Sequence, residues 1–335
     1  MSETSLNSPA RRFTVPQDTG IVMLLVGVAA LFEILGWDFV KQSFVFNQQR
    51  LFIMVLQMAI IGIMVIGVTQ IIIMAGIDLS GGSIVGFAGL VAASLAQTST
   101  NARAVYPNLT DLPVIVPVLA GLATGAALGF VNGSLIALTR IPPFIATLGM
   151  LVIARGLARW YTSGAQVSFF IEDFGVFGDG AMPIWIFLGV ALVFHVLLSH
   201  TVYGRRTYAI GSNEDAARMA GIAIKPHKIL VYTLAGTLYG LAAIIQTSRA
   251  ETAQSGSGLM WELDAISAVV IGGTSLFGGV GRITGTIIGV LILGVITSGF
   301  TFLGIDVFYI AIVKGTIIVV AVVADQYRQK NKRKG

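Results

Sequence analysis

The chain has 335 residues, of which 55% are hydrophobic and 11% are charged, with a formal net charge of +5. Soluble domains carry about a quarter of charged residues, so this composition predicts an integral membrane protein. The absence of cysteine excludes disulfides and thiolate chemistry, and the basic residues concentrate at predicted membrane edges, which excludes nucleic acid as the expected partner.

The N-terminal segment 1–19 is polar and carries Arg11 and Arg12 before a long apolar run. A secretory or twin-arginine signal is the alternative interpretation. The run IVMLLVGVAALFEILGW is long for a signal core, and no clear small-residue cleavage site follows it. We therefore expect the arginine pair to hold the N-terminus in the cytoplasm.

Ten apolar segments follow in chain order, most of them long enough to cross a bilayer. They cover residues 20–37, 51–74, 83–97, 113–138, 143–161, 183–199, 229–248, 263–277, 284–302 and 307–324. The third and eighth are short and lie beside the glycine-dense stretches GIDLSGGS and GGTSLFGGVGR. Irregular backbone at membrane depth persists only where protein or a water cavity covers it, so these two are predicted to be broken helices lining a path.

Lys and Arg placement sets the predicted orientation. Most of the 21 Lys and Arg residues lie on the cytoplasmic side when the N-terminus is inside, and ten spans put the C-terminus there too. The predicted organisation is a transmembrane region 20–325, a cytoplasmic loop 200–228 and a basic tail 326–335. The tail is expected to anchor the topology and contact anionic lipid, with RNA as the poorer alternative.

The predicted outer face carries more acids than bases, including Glu172 and Asp173 in the long loop 162–182. These acids either keep the loops soluble or form a docking surface for a soluble partner.

A weak internal repeat links GAALGFVNGSLI (125–136) in the fourth segment with GTIIGVLILGVI (285–296) in the ninth. The two segments would run in opposite directions, as in two inverted five-helix halves of a transporter. Close helix packing is the simpler explanation of their small residues. The predicted fold class is an all-α polytopic membrane protein of about ten transmembrane helices in two inverted five-helix halves, with short broken helices.

The polar stretch YAIGSNEDAARMAGI (208–222) predicts a short helix over 213–221. Ser212 or Asn213 would cap its N-terminus, acids occupy its first turn, and Gly221 would end it. About two turns are too short to be stable alone in water, so another surface must support the helix. An ordinary connector helix is the alternative.

The stretch YGRRTYAIGSNEDAARMAGI resembles the cytoplasmic loop of ABC-importer permeases of the ribose-type sugar family. Further stretches agree in the same order: GIDLSGGSIVG (76–86), NGSLI (132–136), PPFIATLGM (142–150), ARGLA (154–158) and GGTSLFGGVGRITGTIIG (272–289). The sequence departs from that family at Gly81, Ala220 and Arg282, which leaves the choice among ribose, xylose, galactose and inositol open.

The resemblance implies a permease subunit of the bacterial inner membrane without an ATPase site of its own. Its implied partners are a second permease copy, cytoplasmic ATP-binding subunits that carry ATP and Mg²⁺, and a periplasmic sugar-binding protein, with no cofactor or metal bound by this chain. The loop helix would press into the ATP-binding subunit. The predicted coupling residues are Gly211, Asn213, Glu214, Ala217, Arg218 and Gly221.

Buried polar groups in membrane segments are costly and often functional. Candidate path residues on this ground are Asp78, Ser80, Ser83, Asn132 and Thr147. The alternatives are that Asp78 and Ser80 cap the third segment and that Asn132 bonds across a helix pair.

Three charged residues within predicted spans are interpreted as structural. Arg155 and Arg159 would extend their charged ends to the outer interface, and Lys314 would face the bundle with an acidic partner.

An ion-coupled secondary transporter of a small polar solute remains the alternative function, and an intramembrane enzyme is a third possibility. A secondary transporter would be expected to carry an ionisable relay at the midplane, where acids are sparse. For an intramembrane enzyme, the sequence lacks a recognisable catalytic arrangement. Dependence of transport on ATP separates the permease from the secondary transporter.

Overall fold

The computed structural model describes residues 19–332, so Arg11, Arg12, Arg333 and Lys334 lie outside the described part. The helices of the first half are α1 (Thr19–Leu35), α2 (Gln48–Ile73), α3 (Gly81–Leu95), α4 (Ile115–Thr139) and α5 (Pro143–Tyr161). The later helices are α6 (Glu172–Gly175), α7 (Met182–His200), α8 (Val202–Ser212), α9 (Glu214–Met219), α10 (Ile224–Ala250), α11 (Trp261–Ile271), α12 (Ile283–Phe302) and α13 (Val307–Lys332). A π-helical turn at Gly36–Val40 extends α1. The predicted all-α class is confirmed.

Each of the ten predicted apolar segments coincides with a helix. In the described part of the chain, seven helices are long and apolar enough to cross a membrane by length and composition, namely α1 with its π-helical turn, α2, α4, α5, α7, α10 and α12. The chain is therefore a multi-pass membrane protein. As predicted, α3 and α11 are shorter, with 15 and 11 residues.

The two glycine-dense stretches form irregular backbone between helices. Residues 74–80 separate α2 from α3, and residues 272–282 separate α11 from α12. The two segments meet, because the Gly279 amide donates to the Ile73 carbonyl at 2.8 Å. Protein covers part of this backbone: Gly76, Gly272 and Thr274 are buried, whereas Ala75 and Gly273 are exposed.

The helices α4 and α10 pack at backbone distance along rows of glycine. A Cβ added at Gly125 would lie 2.2 Å from the Gly236 carbonyl oxygen, and one added at Gly129 would lie 2.3 Å from that of Tyr232. No side chain fits between the two backbones there. Close approach replaces the hydrophobic driving force that helices lack in lipid.

Helix pairing relates the two halves of the chain. The helix α3 packs on α4 and α5, as α11 packs on α12 and α13. The helix α4 packs on α10, as α12 packs on α2. This exchange of partners is the one expected of two related five-helix halves, and it places the repeated glycine patterns on the corresponding helices α4 and α12.

The loop 162–182 is ordered against the end of α10. Its strand β1 (Val167–Ser168) pairs antiparallel with β2 (Thr252–Ala253). The Gly178 amide donates to Ser248 Oγ at 2.7 Å, which closes the loop onto α10. Glu172 and Asp173 remain exposed on it, so a role in docking a soluble partner stays a prediction.

Candidate functional site

The polar loop after α7 contains two helices, α8 and α9, where the sequence predicted one over 213–221. Asn213, rather than Ser212, caps α9: its Oδ1 accepts from the Ala216 amide at 2.9 Å, whereas Ser212 is the last residue of α8. Gly221 follows with φ of +82°, a conformation that glycine adopts without strain. The sequence analysis predicted no helix over residues 202–207, where the structure begins α8 at Val202.

Glu214 fixes the orientation of α9. Its Oε2 receives Lys228 Nζ from the start of α10 at 2.7 Å, and its Oε1 receives Arg218 Nη2 at 3.0 Å. Arg218 also pairs with Asp215 at 3.1 Å, where both side chains are largely exposed. Exposed pairs contribute about 0–1 kcal/mol, so these contacts set geometry more than stability.

The exposed surface of α9 is mixed, with charged Asp215 and Arg218 beside an apolar strip. Ala217 points into the core, whereas Ala216 and Ala220 are exposed and Met219 between them is 89% exposed. Sequence reasoning did not single out Met219. The available signal was a long apolar side chain between two alanines in an otherwise polar helix.

Gly211 joins this loop to the interior. A Cβ added there would lie 1.8 Å from the Ile73 carbonyl oxygen and 2.8 Å from the Gly279 amide nitrogen. The Tyr208 hydroxyl donates to the Gly281 carbonyl at 2.8 Å. Burial raises the pKa of Tyr208, which keeps the hydroxyl a neutral donor. The end of α8, directly before α9, therefore contacts Ile73 beside the first irregular segment and Gly279 within the second.

Three of the predicted path residues form one hydrogen-bonded cluster. Asp78 Oδ1 accepts from the Ser80 amide at 2.8 Å and from Ser80 Oγ at 2.6 Å. Asn132 Nδ2 donates to Ser80 Oγ at 2.9 Å. The Tyr239 hydroxyl donates to Asp78 Oδ2 at 3.0 Å, a partner that sequence reasoning missed because it lies on α10. The cluster ties the irregular segment 74–80 to α4 and α10.

Thr147 and Ser83 lie apart from those hydrogen bonds. Thr147 Oγ1 donates to the Pro143 carbonyl at 3.0 Å and lies 3.3 Å from the Ile77 carbonyl. Ser83 is buried in the first turn of α3. All five candidate residues are at most 2% exposed, so in this conformation they are closed to solvent. Their role in a path stays a prediction.

Lys314 and Arg155, two of the three charged residues within the predicted spans, contact polar partners, and Arg159 is exposed. Lys314 Nζ pairs with Asp264 Oδ1 at 2.8 Å, which confirms the predicted acidic partner. Arg155 was expected to extend to the interface. It instead donates to the Ser255 and Ser257 carbonyls at 2.5 and 2.9 Å, because the loop before α11 folds back over α5.

In the described part of the chain, no group of three or more His, Cys, Asp or Glu side chains could hold a metal ion.

The chain is similar to known transport proteins over most of its length. A family model described as "Branched-chain amino acid transport system / permease component" matches residues 50–322. The ribose import permease protein of Escherichia coli K12 is 43% identical over 293 residues, which cover 85% of this chain and 88% of that protein. The ribose import permease protein of Bacillus subtilis 168 is 39% identical over 319 residues, covering 93% and 94%. The galactose/methyl galactoside import permease protein of E. coli K12 is 35% identical over 284 residues, covering 81% and 84%. None of the solved structures matches the chain.

Proposed function

The chain belongs to the family of branched-chain amino acid transport system permease components, and from this premise we propose that it is the membrane-spanning subunit of an ATP-driven sugar importer. Its substrate is a monosaccharide or a related polyol. The observation that carries this proposal is the similarity to ribose and galactose import permeases, which extends over most of this chain and of each relative. The family description refers to branched-chain amino acids, but the relatives named above are ribose and galactose import permeases.

ATP hydrolysis takes place on a partner subunit that holds ATP and Mg²⁺. The helix α9 is the surface that this partner moves. Three features support the assignment: α9 is exposed, Glu214 holds it to α10, and Gly211 at its base contacts the Ile73 carbonyl and the glycine turn at Gly279. A push on α9 would therefore be transmitted to the irregular segments rather than absorbed by a flexible loop.

A second copy of the permease and a substrate-binding protein outside the inner membrane complete the proposed assembly. Both termini lie in the cytoplasm. The exposed acids of the loop 162–182 supply a surface that a binding protein with a basic rim would recognise. Loaded binding protein on the outside and ATP on the inside would then bias the same two-state arrangement of helices.

The test is uptake into proteoliposomes that hold the permease, its ATP-binding subunit and its binding protein. Radiolabelled ribose, xylose, galactose and inositol are offered with ATP, without ATP, and with a proton or sodium gradient. We expect uptake of one sugar that requires both ATP and the binding protein. Uptake that follows an ion gradient and ignores ATP would overturn the proposal in favour of a secondary transporter.

The loop assignment is tested with Glu214→Ala and Arg218→Glu. Arg159→Glu is the control, because Arg159 is also exposed but lies on α5, at the end of the chain's fifth segment. We expect the two loop variants to lower sugar uptake per ATP hydrolysed while the complex remains assembled in size-exclusion chromatography. Equal coupling in all three variants would contradict a role for α9.

A further inference from the structure

A polar groove lies between α2 and α12, away from the buried cluster at Asp78. It has a volume of about 580 Å³. Its wall combines apolar side chains, among them Ile53, Met58 and Phe302, with amides and hydroxyls, principally those of Gln49, Gln57, Thr297, Ser298 and Thr301. This size lies within the range of about 300–1,000 Å³ that small-molecule sites occupy.

Gln57 makes this groove unusual for a membrane helix. It lies nine residues into α2, or about 14 Å from the start of the helix at 1.5 Å per residue. Its neighbours Met54 and Met58 are buried, yet Gln57 is exposed. An amide that faces hydrocarbon leaves its hydrogen bonds unmade at a cost of several kcal/mol. This face of α2 must therefore meet water, a polar solute or another protein.

The opposite wall repeats the same chemistry. Thr297 and Ser298 on α12 are half-buried and line the groove across from Gln57. Thr297 and Met58 also line a second, smaller cavity that is bounded by Asp264 and Lys314. The two charges at its edge are paired at 2.8 Å.

The outer rim adds a cation held on an aromatic ring. The Arg50 guanidinium carbon lies 3.8 Å from the centroid of the Phe302 ring, so its charge rests on that ring, while its Nη1 donates to the Ser43 carbonyl at 3.4 Å. Amides both donate and accept, as hydroxyls do, and a guanidinium donates. Such a wall suits a neutral solute with several hydroxyl groups better than a cation.

We propose that this groove is the solute-binding stretch of the translocation path and that it takes a neutral polyhydroxylated molecule, a monosaccharide or polyol. The inference rests on the proposed import function and adds the site to it. The amides of Gln49 and Gln57 and the hydroxyls of Thr297 and Ser298 bind the sugar hydroxyls in turn. The groove binds the sugar weakly, because a translocation path must also release its solute.

Accessibility to a hydrophilic reagent tests the site directly. The chain has no cysteine, so Gln57→Cys and Thr297→Cys each introduce its single thiol. Leu192→Cys is the control, since Leu192 lies ten residues into α7 and is 65% exposed on an apolar face. The assembled transporter in proteoliposomes is treated with a charged methanethiosulfonate, without nucleotide and with a non-hydrolysable ATP analogue. Labelling of this chain is read by mass spectrometry.

We expect the thiols at 57 and 297 to react at least about tenfold faster than the thiol at 192 in one of the two states, because thiolate forms in water and not in lipid. Excess ribose, xylose, galactose or inositol should slow that reaction, whereas choline chloride should not. Labelling as slow as at 192 in both states would show that lipid or a second protein covers the groove. Fast labelling that none of the four solutes slows would show a water-filled cleft without a binding site. Either result overturns the proposal.

Transport by two uncharged variants gives a separate readout. Gln57→Leu and Thr297→Val remove groove hydrogen bonds, and Thr124→Val removes a hydroxyl that bonds within α4 to the Ala120 carbonyl. We expect uptake to fall about fivefold in each groove variant, the equivalent of one lost hydrogen bond, with ATP hydrolysis retained. The control should match the wild type. If both groove variants take up sugar as fast as the wild type, the groove is not part of the path. If uptake by the wild type does not require ATP, the proposed import function itself is refuted.

Discussion

Replacing Tyr239 by phenylalanine removes the hydroxyl that donates to Asp78 Oδ2 at 3.0 Å and leaves the ring packed against Gly67 and Gly81. Hydrogen bonds contribute about 0.5–1.5 kcal/mol between neutral groups and about 1.5–3 kcal/mol to charged groups in soluble proteins. Side-chain hydrogen bonds between membrane helices average about 0.6 kcal/mol and reach about 1.7. Tyr239 and Asp78 are both buried, so we expect Tyr239→Phe to lower the free energy of unfolding by about 1–2 kcal/mol.

The assay is reversible unfolding of the purified permease in mixed micelles titrated with a denaturing detergent. Tyr309→Phe is the matched control, because it makes the same chemical change at a side chain that is 61% exposed. A double-mutant cycle with Asp78→Ala isolates the pairwise contribution, which should be about 1 kcal/mol. Asp78 Oδ1 keeps its two bonds from Ser80 in the tyrosine variant, so the fold should persist.

Equal unfolding free energies for Tyr239→Phe and Tyr309→Phe would refute a structural role for the cluster. The same variant also tests the predicted path residues. If Asp78 serves only to hold helices together, uptake per folded transporter should equal that of the wild type. A stable Tyr239→Phe variant with impaired uptake would instead favour a place for Asp78 on the path.

Three further predictions concern packing and charge. Gly236→Val should prevent stable folding, because even a Cβ there would lie 2.2 Å from the Gly125 carbonyl oxygen. Gly149→Val is the control and should be tolerated, because a Cβ at Gly149 meets open space. The yield of detergent-solubilised protein distinguishes the two variants. Lys314→Met leaves the Asp264 carboxylate without its partner and should cost about 3 kcal/mol in unfolding free energy, and adding Asp264→Asn should restore much of it; a second substitution that worsens the loss would contradict the pairing. Gly211→Ala should uncouple ATP hydrolysis from uptake, since its Cβ would displace the Ile73 carbonyl at the base of the loop; coupling at the wild-type level would show that the loop does not act through α2.

The broken helices illustrate how far local reasoning carries. Consecutive residues are enough to predict that α3 and α11 are short and that glycine-dense stretches adjoin them. The structure has both helices where they were predicted. The cap at Asn213 and the stop at Gly221 are equally local, since a capping side chain reaches only three residues along the chain. The contact between Gly279 and Ile73 could not be predicted in this way, because the residues around one give no sign of the other.

The predicted path residues mark the limit of that reasoning. A polar residue in an apolar segment signals that a partner or a cavity exists, but it does not say which. For Lys314 the partner was expected to be an acid, although its identity as Asp264 came from the fold. For Asp78 the partner proved to be Tyr239, which is 161 residues away, and the polar groove instead contains Gln57, which no local pattern distinguished.

By itself, then, the sequence determined the membrane class, the positions of the helices, the two breaks and the short exposed helix, because segment length, glycine density and capping are properties of neighbouring residues. The tertiary structure alone decided which face of each helix is buried. Membrane helices are apolar on all sides, so they lack the amphipathic stripe that marks the buried face of a soluble helix. Only the packing of α2 against α10, α11 and α12 buries Met54 and Met58 and leaves Gln57 open to the groove.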